Sequence, residues 1–271
     1  MIYITGDTHA DFRRFAKKKP FELTEKDSVI ICGDFGLLWS KNDGMLDHCL
    51  KQMGGLPFKI LWVGGNHENY DMIEEYNLEE WNGGKVRHII QDKIIYLERG
   101  QVFKIEDKKI FTFGGASSHD VQGGILDPRD ADYIEKCNAV RKSDLPYRVK
   151  GISWWEQELP TEEEMQEGLK NLQRVKYKVD YVISHCLSSK IQDKVEGYPS
   201  GGKSVRLYKE DILTEYFNKI EDQLEYKRWY SGHYHVNWDI DEKHTIMYQA
   251  IIPLGMNHKS AKFHERSMNV D

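Results

Sequence analysis

The sequence predicts an α/β fold in which parallel strands alternate with helices. Short apolar runs at residues 2–4, 28–32 and 59–63 each lead into glycine followed by a polar residue. Helix-like segments near residues 12–19 and 44–53 separate these runs. This order favours parallel strands joined by right-handed crossovers, and ligands of such sheets bind beyond the carboxyl ends of the strands. We therefore expect the functional site where these three runs end.

The rest of the chain mixes short strands with helices. Four successive β runs are predicted at residues 86–90, 94–97, 102–106 and 109–113, with Asp107-Lys108 as a hairpin turn. Thr161 and the three glutamates after it predict the start of a helix that runs to about residue 175. Further elements are expected as follows: strands at 180–184 and 228–231, a helix near 205–220, and strands near 237–241 and 245–250.

Length and composition are those of a globular protein. The chain has 271 residues, of which 39% are hydrophobic and 30% are charged, enough for one large α/β domain with a sizeable core. We expect a single domain over residues 1–255, with a lid or insert at 117–160 and a C-terminal tail at 256–271.

Charge and cysteine content disfavour several classes of protein. The net charge of −6 argues against a general nucleic-acid or membrane binder, because the overall field repels phosphate groups. No apolar run approaches the roughly 20 residues that span a bilayer, and the N-terminus has no basic leader. We therefore expect a cytoplasmic protein without a membrane partner. The four scattered cysteines form no CxxC pair and are expected to be reduced thiols.

Five strand ends carry residues that bind divalent metals. They are, in chain order, Asp7 with His9, Asp34, Asn66 with His67, His185, and His233 with His235. Taken singly, a strand-end histidine is more often bonded to a backbone carbonyl, and a Gly-Asp pair is more often a turn. Their repetition favours a site, because glycine precedes Asp7, Asp34, Asn66 and His233 and permits close approach of the backbone. The i, i+2 spacing of each Asp/His or His/His pair places both side chains on one side of an extended segment.

The residue types indicate a two-metal centre. Two neighbouring divalent ions need a shared anionic ligand, and the two carboxylate oxygens of Asp34 make it the natural candidate. Histidine nitrogens suit manganese, iron, zinc and nickel, of which we favour manganese. Such ions lower the pKa of bound water and polarise phosphoryl oxygens. The pattern therefore indicates hydrolysis of a phosphate ester.

The order of these motifs resembles that of the calcineurin-like metallophosphoesterases. Five motifs carry the resemblance: Gly6-Asp7-Thr8-His9, Gly33-Asp34, Gly65-Asn66-His67-Glu68, Ser184-His185 and Gly232-His233-Tyr234-His235. The resemblance covers about residues 1–116 and 179–250. It implies an α/β fold with two mixed β-sheets packed as a four-layer sandwich flanked by helices, and the insert is similar to that of small bacterial and phage-type members.

The resemblance also implies a role for each residue. Asp7, His9 and His235 would hold the first metal, and Asn66, His185 and His233 would hold the second. Asp34 would bridge the two ions. His67 would contact the phosphate and protonate the leaving oxygen, so that His67 and Asp34 are the implied catalytic residues. Every metal-binding position is filled, which argues against a non-catalytic scaffold.

Two arginines that are usual in the family's protein phosphatases and dinucleoside-tetraphosphatases are absent. Those enzymes usually show Asp-Arg-Gly soon after the second Gly-Asp, whereas residues 33–39 of this chain read GDFGLLW. Gly64 stands where they tend to carry arginine before Gly-Asn-His. Such arginines bind phosphate bidentately, so their absence weakens the protein-phosphatase interpretation. His119, Arg129 and Arg148 are candidate substrate contacts, although each is more often an ordinary surface side chain.

A second phosphate-binding pattern falls between two of the metal motifs. Residues 197–204, GYPSGGKS, match G-x-x-x-x-G-K-[ST]. A phosphate loop follows a buried strand directly, whereas the polar stretch 188–196 separates this one from the nearest predicted strand. An ATPase loop is therefore disfavoured, and Lys203 is a further candidate for substrate binding. The alternative is a solvated loop that caps the next helix.

Three functions compete at this stage. The leading one is a dimetal hydrolase of phosphate esters, with a phosphodiester or nucleotide slightly favoured over a monoester because the arginine pair is missing. The second is a non-catalytic metal-binding module, and the third is a nucleotide-triphosphate motor or kinase that uses residues 197–204. The sequence leaves nucleic-acid binding and the oligomeric state open.

Overall fold

The computed structural model describes residues 1–16, 23–41, 44–196 and 208–261. The strands are, in chain order, β1 (Ile2–Thr5), β2 (Ser28–Ile31), β3 (Lys59–Trp62), β4 (Leu78–Trp81), β5 (Gly84–Ile90), β6 (Ile94–Leu97), β7 (Gln101–Ile105), β8 (Lys108–Phe113), β9 (Ile125–Leu126), β10 (Arg148–Val149), β11 (Tyr181–Ser184), β12 (Arg228–Ser231), β13 (Trp238–Asp239), β14 (His244–Ile246) and β15 (Ile252–Pro253). The α-helices are α1 (Arg13–Ala16), α2 (Gly44–Gly54), α3 (Tyr70–Glu74), α4 (Tyr133–Ser143), α5 (Glu162–Arg174), α6 (Ser189–Glu196) and α7 (Ile212–Glu221).

Two large mixed sheets form the centre of the protein, as expected. The first has seven strands in the order β15-β1-β2-β3-β6-β5-β4, and the second has six in the order β13-β14-β12-β11-β8-β7. Strands β1, β2, β3 and β6 run parallel in the first sheet, and β8, β11, β12 and β14 run parallel in the second. A small third sheet pairs β9 with β10. The carboxyl ends of the parallel strands carry the metal-binding motifs.

The core divides into layers that match a sandwich. Ile30 of β2 and Ile183 of β11 belong to one buried cluster, which therefore lies between the two sheets. The neighbours Val29 and Ile31 pack in a second cluster with residues of α2 and α3, on the outer face of the first sheet. Val182 packs with residues of α5 and α7 on the outer face of the second. Because alternate side chains of these strands are buried on both faces, helices cover both outer faces and the fold has four layers.

Several element boundaries differ from the sequence predictions. The β7–β8 turn is Glu106-Asp107 rather than Asp107-Lys108, and both residues have positive φ, of 45° and 61°, as a two-residue hairpin loop requires. The polar stretch 188–196, expected to be loop, contains α6. Helix α7 begins only at Ile212, because Asp211 forms a capping box with Thr214. The N-terminus of α5 at Thr161 is confirmed by the same kind of capping box.

The segment predicted as a lid contains regular structure. Residues 117–160 include α4 and the small β9–β10 sheet, and hydrogen bonds from the buried Arg99 to Gly114 O and Leu159 O hold both of its ends to the core. The division into a domain over 1–255, a lid and a tail stays a prediction. In the described parts of the chain, no helix combines the length and the apolar character needed to cross a bilayer.

Candidate metal centre

The metal motifs of both sheets converge at one place. Asp7, Asp34 and Asn66 follow β1, β2 and β3 of the first sheet, whereas His185 and His233 follow β11 and β12 of the second. The N–H of His233 donates to both carboxylate oxygens of Asp7 at 3.1 Å, so the two sheets are joined at the site itself. Parallel strands present their carboxyl ends at one edge, which explains why motifs distant in sequence meet here.

The first group of donors is formed by Asp7, His9, Asp34 and His235. One ligand atom from each lies within 4.8 Å of all the others. His235 Nε2 is 3.1 Å from Asp7 Oδ2, and His9 Nε2 is 3.0 Å from His235 Nε2. His9 Nε2 is also 3.6 Å from Asp34 Oδ2. Two imidazole nitrogens and two carboxylates around one point are a donor set for a divalent metal.

A second group of donors lies on the other side of Asp34. His185 Nε2 is 3.3 Å from Asp34 Oδ1 and 3.2 Å from Asn66 Oδ1. His185 Nδ1 donates to Cys32 O at 2.7 Å, which leaves Nε2 facing Asp34 and Asn66. The ring of His233 is 5.0 Å from that of His185, centroid to centroid. Asp34 therefore belongs to both groups, one oxygen toward each.

The buried carboxylates fit a cation at this position. Asp7 and Asp34 are 0% and 1% exposed. In the part of the chain that the structure describes, their ion-pair partners are all histidines rather than lysine or arginine. Buried charges are stable when they are paired or coordinate a metal, so two carboxylates whose side-chain ion pairs are only with histidines fit a bound cation. Asn66 adds a neutral oxygen at this position, since its buried side chain places Oδ1 3.2 Å from His185 Nε2.

Asp34 and His185 also shift each other's protonation. Burial alone would raise the pKa of Asp34, but the neighbouring His185, His67 and His9 hold it below its usual range. Burial alone would lower the pKa of His185, but Asp34 raises it to about 9. A divalent ion competes with this proton for the same nitrogen, so metal binding at His185 releases a proton.

The backbone at the site is held in an uncommon conformation. His9, Asp34, His233 and His235 all have positive φ, between 44° and 70°. Non-glycine residues rarely adopt this left-handed region, and such strain concentrates at functional sites. Gly33, before Asp34, has φ of +91°, and a Cβ there would lie 2.1 Å from His185 Nδ1. Glycine at 33 is therefore needed for both its conformation and the space it leaves.

Replacing Gly33 by alanine should disrupt the site. Gly124 is a matched control, because it has φ of +96° with nothing within 4 Å of an added Cβ. Gly124→Ala should cost only the left-handed strain of about 1–2 kcal/mol. Gly33→Ala adds a collision with a buried ring, so we expect a loss of about 3 kcal/mol or more in unfolding free energy, with weakened metal binding. Equal urea-unfolding and metal-binding curves for the two variants would contradict this.

His67 and Arg148 face each other beside the metal groups. The N–H of His67 donates to Asp34 Oδ1 at 2.8 Å, and its Nε2 is 3.0 Å from Arg148 Nη2. Arg148 is 7% exposed, and Asp120 holds its guanidinium through bonds of 2.9 and 2.7 Å. Burial lowers the pKa of His67 to about 4, with Asp34 opposing this shift and Arg148 adding to it. His67 is therefore a neutral acceptor for Arg148 in the absence of a ligand.

Gly64 leaves no room for a side chain before Asn66. A Cβ at this position would lie 2.5 Å from the hydroxyl of Tyr70. Gly114 packs directly against it, with the N–H of Gly115 donating to Gly64 O at 2.8 Å. An arginine at this position, as the family's phosphatases carry, would collide with the Tyr70 hydroxyl. Arg148 brings a guanidinium to the site from the insert instead.

The other candidate substrate contacts have different positions. The ring of His119 is 5.5 Å from that of His233, centroid to centroid, so His119 borders the centre. Arg129 is exposed and forms an ion pair with Asp127 at 2.5 Å. Its hydrogen bonds in the described structure go to Asp127 and to no residue of the metal motifs. Lys203 and the loop 197–204 lie outside the described residues. Sequence reasoning missed Asp120 and Gln192, and no local pattern marked either of them.

Glu158 connects the insert to the loop that carries His119. It is 4% exposed and accepts hydrogen bonds from the backbone N–H and the hydroxyl of Ser118, at 2.9 and 2.7 Å. Burial raises its pKa to about 7, although the bonds from Ser118 oppose the shift. The folded protein therefore keeps a proton on Glu158 that the unfolded chain has already released.

The pKa of Glu158 predicts a pH effect on stability. Between about pH 4.5 and about pH 7 the folded state binds more protons, so this carboxyl lowers the free energy of unfolding as pH rises. Glu158→Gln removes the titration and keeps the shape. The unfolding free energy would be measured in urea for both proteins. We expect the difference, variant minus wild type, to be about 2 kcal/mol larger at pH 8 than at pH 5. An identical difference between the two proteins at both pH values would contradict the assignment.

Comparison with known proteins assigns the family. The calcineurin-like phosphoesterase model matches residues 1–237, and the chain belongs to this family. Membership and the Asp/His cluster together indicate a phosphate-ester hydrolase with a divalent metal site. No curated protein matches the chain significantly. A crystal structure of a protein of unknown function from Aquifex aeolicus is 21% identical over 52% of this chain and 70% of that chain, with a TM-score of 0.24.

Proposed function

We propose that this protein hydrolyses phosphate esters with two divalent metals, and that phosphodiesters or nucleotides are its substrates. The observation that carries the proposal is the position of Asp34, whose two oxygens face two separate groups of donors. Asp7, His9 and His235 would hold one ion, and Asn66, His185 and His233 the other. Manganese is favoured over iron, zinc or nickel. When bound, the ions supply Lewis-acid stabilisation of the charge that develops on the phosphoryl oxygens.

Arg148 binds the phosphoryl group in this proposal. Its side chain is fixed before substrate arrives, because Asp120 takes two of its donors and Ser153 O accepts a third at 3.1 Å. The remaining donor capacity of Nη2 faces His67 at 3.0 Å. A guanidinium that is already oriented loses little conformational entropy when it binds an oxyanion. Its hydrogen bonds can therefore stabilise the transition state at a small entropic cost.

His67 donates a proton to the leaving oxygen. Its low pKa in the free protein means that it must gain this proton on binding substrate. A phosphate between Arg148 and His67 adds negative charge, which raises the pKa of the imidazole and offsets the effect of the guanidinium. The imidazole takes this proton from solvent and passes it to the leaving ester oxygen, which departs as the alcohol.

A leaving-group comparison tests the role of His67. His67→Ala should slow hydrolysis of diphenyl phosphate by about 10²-fold or more, because phenolate is a poor leaving group that needs a proton. The loss should be much smaller with bis-p-nitrophenyl phosphate, whose leaving group needs little assistance. His48→Ala, exposed on α2, is the matched control. Equal losses on both esters would show that His67 does not act as the acid.

The choice between diester and monoester is tested with the same protein. We expect bis-p-nitrophenyl phosphate to be hydrolysed faster than p-nitrophenyl phosphate by manganese-loaded enzyme. A faster monoester would favour the phosphomonoesterase alternative. Metal binding without turnover of either ester would favour the non-catalytic module.

A further inference from the structure

A cavity of about 410 Å³ opens beside the proposed metal centre. His233 stands at the boundary between the two, so the cavity begins where the second metal group ends. The other walls come from the segment after β8, from α6 and from the residues before α7. Its lining includes Ser117, His119, Cys186, Gln192 and Tyr208. This volume is within the roughly 300–1,000 Å³ that small-molecule sites occupy, and it is too small for a folded protein chain to enter.

Gln192 lines this cavity, and one polar end of its amide lacks a partner among the described residues. The residue is 2% exposed, and its Oε1 accepts a hydrogen bond from the hydroxyl of Tyr234 at 3.0 Å. Its Nε2 is buried and has no partner in the part of the chain that the structure describes. Turning the amide over would leave the oxygen unpaired instead, so one polar end lacks a partner in either orientation. A buried polar group without a partner lowers the stability of the folded protein. A ligand that supplies the missing hydrogen-bond partner would account for its presence.

An aromatic wall formed by His119, Tyr208 and His233 borders the same cavity. The rings of His119 and Tyr208 are 5.1 Å apart, and that of Tyr208 is also 5.1 Å from His233, centroid to centroid. The Nδ1 atom of His119 is buried and has no partner in the described structure. Flat ring faces beside polar edge groups suit a heteroaromatic ligand, which can stack and form hydrogen bonds at once.

We propose that this cavity binds the nucleoside of a nucleotide ester, with the base against His119 and Tyr208 and its edge bonded to Gln192. The proposal rests on the proposed function, because it places the phosphate at the metal centre and names the group attached to it. An acyl chain would leave Gln192 unpaired, and a simple sugar offers the rings only C–H groups rather than a flat π-face. A nucleobase satisfies both features.

Binding to metal-stripped protein tests the cavity without catalysis. Calorimetry would compare thymidine, cytidine, adenosine and guanosine as ligands. We expect at least one to bind, and Gln192→Met to weaken this binding about fivefold through loss of one hydrogen bond. The same change also removes the acceptor of the Tyr234 hydroxyl, so we expect the variant to unfold at a lower urea concentration than the wild type, and binding is compared under conditions where both proteins are folded. Gln173→Met, exposed on α5, is the matched control.

Kinetics with manganese-loaded protein separate this proposal from the proposed function. The p-nitrophenyl ester of the tightest-binding nucleoside 5′-monophosphate should show a lower KM than bis-p-nitrophenyl phosphate, and Gln192→Met should reduce this preference about fivefold. If bis-p-nitrophenyl phosphate is hydrolysed but no nucleoside binds, the cavity proposal alone is overturned. The same follows if the nucleotide ester shows no lower KM than bis-p-nitrophenyl phosphate. Nucleoside binding that depends on Gln192 supports it even where neither ester is hydrolysed, an outcome that would overturn the proposed function.

Discussion

Asp34→Asn is expected to abolish hydrolysis and to reduce the metal content of the protein. Its Oδ2 faces His9 at 3.6 Å and its Oδ1 faces His185 at 3.3 Å, so one side chain serves both donor groups. Asparagine keeps the size but removes the charge that two cations share. Lewis-acid stabilisation is worth several kcal/mol, which predicts a loss of about 10³-fold or more in kcat/KM. Metal analysis after dialysis would accompany the rates.

The control for this substitution is Asp47→Asn. Asp47 is exposed on α2, so the same chemical change there should leave rates and metal content at wild-type values. Wild-type turnover by Asp34→Asn would show that no bridging carboxylate is required. Lost turnover with full metal content would place the role of Asp34 elsewhere than in metal binding.

Arg148→Ala is expected to lower kcat/KM by about 10²- to 10³-fold, as loss of a preorganised donor to a developing oxyanion does. Arg148→Lys should restore only part of this, because lysine cannot bond Asp120 with two nitrogens while facing the phosphate. Asp120→Asn should give an intermediate loss, since it loosens the guanidinium without removing it. Steady-state rates on bis-p-nitrophenyl phosphate measure all three.

Arg141→Ala is the matched control for Arg148. Arg141 is exposed on α4 of the same insert, so its removal tests whether any charge in this segment matters. Wild-type kcat/KM is expected for Arg141→Ala. If Arg148→Ala also retained wild-type kcat/KM, the insert would contribute no phosphate contact and the missing family arginines would have no replacement.

The metal motifs were predictable because each is local in the sequence. Four of the five strand ends carry glycine followed by a polar residue and the other carries Ser184-His185, and parallel strands bring such ends together whatever the connections between them. The family and the two-sheet sandwich predicted from these motifs are confirmed. The start of α7 could also have been found, since Asp211 and Thr214 form a recognisable capping pair.

The residues around the metal groups were harder to predict. Arg148 is 81 residues from His67 in sequence, and only the packing of the insert brings them together. Asp120 and Gln192 have no distinctive neighbours, and Gln192 belongs to a helix whose polar sequence resembles a loop. The β7–β8 turn was misplaced by one residue because non-glycine residues occupy both of its left-handed positions.

The most direct test of the account is a manganese titration of metal-stripped protein, with bound metal and hydrolysis of bis-p-nitrophenyl phosphate measured on the same samples. Hydrolysis is expected to rise with bound metal, to level off at two ions per chain and to disappear when a chelator is added. Turnover by the metal-free protein, or failure to bind manganese, iron, zinc or nickel, would contradict the two-metal phosphoesterase proposed here.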